Sequence, residues 1–208
     1  MKEVFYDWGG ANVWLFHAIN DLRFTRLDIV MQIGTSLGDH TLFTLYLGLL
    51  TLFALHAVST PAQDHAHYKD RVTCWMAVIA VFSCAYLLDG LLLWVLKPLL
   101  DFPRPALALP PGTVNVVGMP EYHHSLPSGH SSFAMLVTAS LWPVLNHKWR
   151  AAGVLFVLWV GASRVSLGAH FPADVVAGCL SSLAVVLLVY VAMQKLTKIM
   201  GVRKSASR

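Results

Sequence analysis

"WMAVIAVFSCAYLLDGLLLWVLKPLLDFPRP", Trp75 to Pro105, decides the fold class. Its first 22 residues hold a single charge, Asp89, and the apolar run stops at Lys97. About 20 consecutive apolar residues suffice for a helix to cross the hydrocarbon of a bilayer. Trp75–Leu96 is therefore predicted to span a membrane.

Four further runs read the same way: Thr41–Val58, Ser131–Leu145, Ala151–Leu167 and Val175–Met193. The whole chain agrees with them. Its 208 residues are 56% hydrophobic and 12% charged, with a mean hydropathy of +0.60, too greasy for an ordinary water-soluble domain. The predicted fold is all-α: a polytopic membrane helix bundle of five to six spans forming one domain over residues 1–208. The region 1–28 holds an apolar piece, Trp8–Asn20, that is short and runs into "NDLRFTRLD", so it reads as an interfacial helix before it reads as a sixth span. "TRLDIVMQIGTSLGDH" extends the first span backwards or forms a half-turn at the interface. Seven prolines between Pro98 and Pro127 exclude a continuous helix there. Glu3 and Asp7 interrupt the start, so no cleavable signal is predicted.

Other function classes find little support. Cys74, Cys84 and Cys179 are far apart, which argues against a disulfide framework or a zinc site. The basic residues are scattered, so no nucleic-acid partner is expected, and no obligate protein partner is implied. Threading five spans puts Lys69, Arg71, Lys148, Arg150, Lys195, Lys198, Arg203, Lys204 and Arg208 on one side, nine of the fifteen basic residues. Basic residues favour the cytoplasmic side. The tail at 196–208 is thus expected in the cytoplasm and the Pro98–Pro127 loop outside, as in an inner-membrane protein with an outward-facing site.

Threading also brings three polar stretches to that outer face: "KPLLDFPRP" (97–105), "PSGH" (127–130) and "SRVSLGAHFPAD" (163–174). Pro127 and Ser128 read as a helix start, with Gly129 allowing a ligand to approach the backbone. The first N–H groups of a helix are unpaired and carry the positive end of its dipole, so they suit a phosphate. Pro172 and Asp174 read as a second helix start, with Asp174 within reach of the His170 imidazole. Lys97, Arg104 and Arg164 add three cations suited to phosphoryl oxygens.

Lys97-x6-Arg104-Pro105, Pro127-Ser128-Gly129-His130 and Ser163-Arg164-x5-His170-x3-Asp174 together resemble the three-part signature of the type-2 phosphatidic acid phosphatase family. That family includes membrane lipid phosphatases and shares its site with vanadium haloperoxidases. All eleven signature positions are filled. The resemblance implies that His170 attacks phosphorus to form a phosphohistidine and that Asp174 holds its tautomer. It implies that His130 is the general acid, and that Lys97, Arg104, Arg164, Ser128 and the Gly129 N–H bind the phosphoryl oxygens. It implies no metal and no cofactor. The short chain and short connectors resemble bacterial members.

Each feature has a plainer explanation. Lys97 and Arg164 could only snorkel from span ends, and His170–Asp174 could only cap a helix. His123 and His124 read as loop residues near the pocket mouth, not as metal ligands. Asp89, an ionisable group inside a span, is expected to make a hydrogen bond or ion pair beneath the site. A small lipid or anion transporter is the competing class, though it has no use for Ser-Gly at one helix start and His–Asp at another. The expected substrate is a lipid mono- or diphosphate. Undecaprenyl pyrophosphate leads, because the neutral, apolar run "LALPPGTVNVVGMP" within the Leu107–Tyr122 segment suits a lid over a prenyl phosphate. Phosphatidylglycerophosphate, phosphatidate and the lipid A phosphates are the alternatives.

Overall fold

Each apolar run becomes a helix, and the helix ends are set by side chains that bond the free backbone groups there. The structure, a computed structural model, describes residues 6–61 and 64–206, with side chains to residue 196. The helices are α1 (Ala11–Asn20), α2 (Thr25–Leu37), α3 (Phe43–Ser59), α4 (His65–Leu100), α5 (Gly129–Leu141), α6 (His147–Ser166) and α7 (Pro172–Ala206). Asp39 accepts the Thr41 N–H at 2.8 Å in the 3-10 turn leading into α3. Asp64 accepts from His67 N–H at 2.8 Å, and Asn146 from Trp149 N–H at 3.1 Å, at the starts of α4 and α6. Each is an N-cap that satisfies one of the donors a helix start leaves open.

Central to the bundle is α5, which packs against α4, α6 and α7. Phe133, Leu136 and Val137 meet Val78, Val81, Phe82 and Ala85 of α4 and Val185, Val186 and Val189 of α7. Outward faces are apolar as well: Leu52 and Phe53 on α3, Leu91 and Trp94 on α4, and Leu187 and Leu188 on α7 are all exposed. Helices apolar on both sides fit lipid, not water.

Among the described residues, three stretches are long and apolar enough to cross a membrane: His40–Ser59, His65–Ala108 and Pro172–Leu196. The expected span Ser131–Leu145 is instead a 13-residue helix, about 20 Å long. It stops because Pro143 has no N–H to continue the ladder and crowds the turn before it. The shortfall leaves an apolar cavity of about 830 Å³ between α6 and α7, lined by Met135, Trp142, Leu158 and Leu187.

Two more expectations change. The proline-rich segment is not wholly non-helical, because α4 runs through Pro98 to Leu100 and Pro105–Ala108 forms one further turn. Pro98 is tolerated so near the helix end, where only one backbone bond is lost. Thr25–Leu37 is neither an extension of the first span nor a half-turn; it is a separate helix packed along α6.

The N-terminal piece forms a 3-10 turn, Trp8–Gly10, and then the ten-residue α1. At about 15 Å it is half the thickness of a bilayer core, too short for a sixth span. Asn12 and Asn20 are buried on its inner face, while Trp14 is exposed. Of the basic tail at 196–208, the side chains beyond 196 lie outside the described residues, as do residues 1–5 of the N-terminal region.

Candidate active site

The ends of α4 and α6 and the starts of α5 and α7 bring their side chains into one cluster. After α6, Gly168 adopts φ +73°, a left-handed turn that L-residues resist and that a Cβ would drive into the Asn115 carbonyl. The turn lets Ala169 and His170 N–H donate to the Arg164 carbonyl, at 3.0 and 3.2 Å. His170 is thereby held, 1% exposed, just ahead of Pro172 at the start of α7.

Asp174, in the first turn of α7, is fully buried and surrounded by donors. Oδ2 accepts from Phe171 N–H (2.8 Å) and the Ser125 hydroxyl (2.5 Å), and Oδ1 from the Tyr6 hydroxyl (2.8 Å). The Phe171 bond is the return half of a capping box. His170 Nδ1 lies 3.4 Å from Asp174 Oδ2 and 3.4 Å from Ser125 Oγ. A proton on Nδ1 faces the carboxylate, which leaves the Nε2 lone pair free. Arg104 Nη1 lies 3.4 Å from that Nε2. Burial, against the pull of Asp174, lowers the His170 imidazole to about 4, so the ring is neutral at neutral pH. Burial and then the Asp174 charge raise the Tyr6 phenol, so it stays a donor.

Around this pair stand the cations. Arg104 is buried and clamps two loops: Nε donates to His123 O (3.0 Å), Nη1 to Ala169 O (3.3 Å), and Nη2 meets Glu121 Oε2 (2.5 Å). Arg164, in the last turn of α6, donates from Nη1 to Thr35 Oγ1 of α2 at 2.6 Å. Its buried Nε has no partner among the described residues. Lys97 occupies the last turn of α4, close enough to Arg104 and Arg164 for their charges to repel it. Three crowded cations and an orphaned guanidinium N–H are a costly arrangement unless an anion joins them.

Ser128 takes the N-cap position of α5, as expected, but its hydroxyl caps nothing; it accepts from Ser131 Oγ at 3.2 Å. Its N–H donates to the Asp174 carbonyl (3.0 Å), tying the two helix starts together. The first N–H groups of α5 are thus left for a ligand. A Cβ at Gly129 would meet only Leu93, at an ordinary 3.9 Å, so packing within the protein does not demand glycine there. His130 follows, beside Arg164, Asp39 and His170; burial and then Arg164 lower it to about 3.

The structure therefore brings together Lys97, Arg104, Ser128, Gly129, His130, Arg164, His170 and Asp174. His123 and His124 stand outside this group, facing Asp101 at 3.6 and 3.2 Å. Tyr6, Ser125 and Thr35 were not expected; they hold Asp174 and Arg164 from distant parts of the chain. Asp89 donates nothing to the cluster but accepts from Ser132 Oγ at 2.7 Å, the hydrogen-bonded role expected for it.

This arrangement can bind a tetrahedral anion and attack it in line from Nε2. A sequence profile of the PAP2 superfamily matches residues 79–198, more than half of the chain and the whole of the cluster from Lys97 to Asp174. The lipid A 1-phosphatase of Rhizobium johnstonii is 28% identical over 154 residues, 71% of this chain and 60% of that protein. The lipid A 1-phosphatase of Rhizobium etli is 41% identical over 54 residues, 26% of this chain. The chain thus spans 60% and 23% of the lengths of these two relatives. Among solved structures, Aquifex aeolicus LpxE superposes with a TM-score of 0.70 at 24% identity, covering 86% of this chain and 94% of that one. A PAP2-type phosphatidylglycerolphosphate phosphatase from Bacillus subtilis gives 0.66 at 22% identity, covering 90% and 86%. At those identities the two structures bear on the fold.

Proposed function

The chain belongs to the PAP2 superfamily, and from that premise we propose that it is a membrane lipid phosphatase working through a phosphohistidine on His170. The observation that carries the reading is the neutral, Asp174-oriented His170 with its unprotonated Nε2 turned to the Arg104 guanidinium. Lys97, Arg104, Arg164 and the N–H groups at Gly129 and His130 hold the phosphoryl oxygens. His170 Nε2 forms the bond to phosphorus as the bond to the lipid oxygen breaks, and His130 gives that oxygen a proton. Water, its proton taken by the now neutral His130, then attacks phosphorus; the bond to Nε2 breaks, phosphate leaves, and the His170 ring returns to its neutral form. Splitting one displacement into two, with fixed charge around the equatorial oxygens, lowers each barrier.

Lipid A 1-phosphate is the substrate we favour, because both relatives named above carry that activity in their names. Undecaprenyl pyrophosphate loses the ground that favoured it. The Leu107–Tyr122 segment is pinned, not poised as a lid: Asn115 N–H donates to Asn20 Oδ1 at 2.8 Å, and Val117 N–H to Leu167 O at 3.2 Å. A transporter reading leaves the oriented His170 without a task. Phosphate release by purified protein from lipid A, undecaprenyl pyrophosphate, phosphatidylglycerophosphate and phosphatidate, at equal micellar fraction, tests both points. Activity is expected to survive EDTA, since side chains supply the positive charge. Prenyl preference would reverse the substrate choice, and an absolute need for added magnesium would remove the three-cation mechanism.

Tyr6 acts as a positioning residue. Tyr6→Phe removes one of the donors to Asp174 and is expected to lower kcat about 3- to 10-fold with little change in KM. A rise in KM at unchanged kcat would contradict that role.

We also propose that the site faces the outer side of a bacterial inner membrane, because the basic connectors lie at the other end of the bundle. Met119, 94% exposed in the loop on the site side, supplies the probe position. Met119→Cys is expected to react with an impermeant thiol reagent in intact cells, and protection there would reverse the orientation.

A further inference from the structure

Beside the cation cluster, a cavity of about 410 Å³ runs along one stripe of α4, from Lys97 past Trp94 to Asp89 and Tyr86. Gly129 and Phe133 of α5 form its other wall. Lys97 and Gly129 belong to the phosphoryl site, so a lipid held there by its phosphate extends into this space. Trp94 and Gly90 are exposed on its outer rim, and a Cβ at Gly90 would meet nothing within 4 Å. The cavity is therefore roomy on the side facing away from the bundle core.

Asp89 is the acidic side chain in this lining. It is hydrogen-bonded to Ser132, which lies three residues, about 4.5 Å along α5, from the Gly129 N–H of the phosphoryl site, so donors on the carbons nearest the phosphate come within its reach. It is 5% exposed. Ser132 Oγ donates to Oδ2 at 2.7 Å, while the buried Oδ1 has no hydrogen-bond partner among the described residues. A buried carboxyl oxygen without a partner destabilises the protein and is satisfied when a donor arrives.

We propose that Asp89 forms a headgroup subsite, in which Oδ1 accepts a hydrogen bond from a hydroxyl or amide N–H on the leaving group of the lipid phosphate. The subsite rests on the phosphatase reading and adds the substrate class to it: lipids with donors near the phosphate, such as acylated amino sugars, above prenyl phosphates. A prenyl chain offers no donor and leaves Oδ1 unpaired. Sites built around a buried polar group discriminate strongly against analogues that lack its partner. His40 and His124 also border the cavity, but both are exposed and already face Asp39 and Asp101.

Two lipids of similar size separate the cases: ceramide 1-phosphate carries an amide N–H and a hydroxyl, and phosphatidate carries only ester acceptors beyond its phosphate. The measured quantity is the ratio of kcat/KM on ceramide 1-phosphate to that on phosphatidate, with purified protein in one detergent. The wild type is expected to favour ceramide 1-phosphate, and Asp89→Leu to lower the ratio about tenfold. Asp89→Asn keeps the size and an oxygen for Ser132 while turning an –NH2 toward the cavity, and the ratio is expected to fall in the same direction. A ratio within about twofold of wild type in whichever variant folds, or a wild type that favours phosphatidate, overturns the subsite alone. If the wild type releases phosphate from neither lipid, the same variants are compared on lipid A 1-phosphate. There Asp89→Leu is expected to lower kcat/KM about tenfold, and an unchanged value overturns the subsite. A wild type inactive on lipid A as well overturns the phosphatase reading, and the subsite with it.

Discussion

His170→Ala is expected to lower phosphate release by about 10⁴-fold or more, with the protein still folded and still able to bind the lipid. No neighbouring group can take over. His130 stands on another helix start, and the oxygens of Asp174 are occupied by Tyr6, Ser125 and Phe171. The cations and helix N–H groups remain in place, so KM is expected to move far less than kcat. A His170→Ala protein with near-wild-type turnover would mean that water, and not the imidazole, attacks phosphorus.

The second large effect is expected at His130. His130→Ala should slow hydrolysis of a lipid alcohol phosphate by about 10²- to 10³-fold, and of p-nitrophenyl phosphate by less than about tenfold. Proton donation matters most when the departing oxygen is basic, and nitrophenolate leaves without help. Equal losses on both substrates would assign His130 to binding. The proton has a specific source. In the free protein burial and Arg164 hold the ring near 3, so at neutral pH it carries no proton to give. A phosphomonoester monoanion brings one, and its negative charge stabilises the imidazolium. The sign of the pH dependence follows. Below about 4, His170 gains a proton and its lone pair is lost, so kcat/KM should rise with pH through that region. Above the second ionisation of the phosphate, near 6, the substrate no longer delivers its proton, and kcat/KM should fall again. A plateau extending to pH 9 would mean that the leaving oxygen departs unprotonated.

The parts of this site legible in the sequence are those encoded over short separations. Pro127–His130 and His170–Asp174 are each contained within one helix start, where residue type and spacing alone indicate which groups are free. The supporting shell was not legible. Tyr6 reaches Asp174 across 168 residues and Thr35 reaches Arg164 across 129, and neither residue type marks such a contact. Ser125 sat in plain view three residues before Ser128, but an isolated serine in a loop carries no signal until its partner is known. The fold class was legible because uninterrupted apolar runs leave few alternatives to a membrane bundle. The length of α5 was not, since Trp142, Val144 and Leu145 continue the apolar composition past the point where Pro143 ends the helix. Composition reports the solvent; the end of a helix is set by its backbone bonds.

The central claim is the covalent bond between His170 and phosphorus. Purified protein is mixed with lipid phosphate carrying a ³²P label, quenched within milliseconds, and digested under alkaline conditions, which preserve phosphohistidine. Label is expected on the peptide containing His170, stable to alkali and lost in acid, and absent from the His170→Ala protein. A protein that releases labelled phosphate at full rate while no label is ever bound to it would contradict the mechanism.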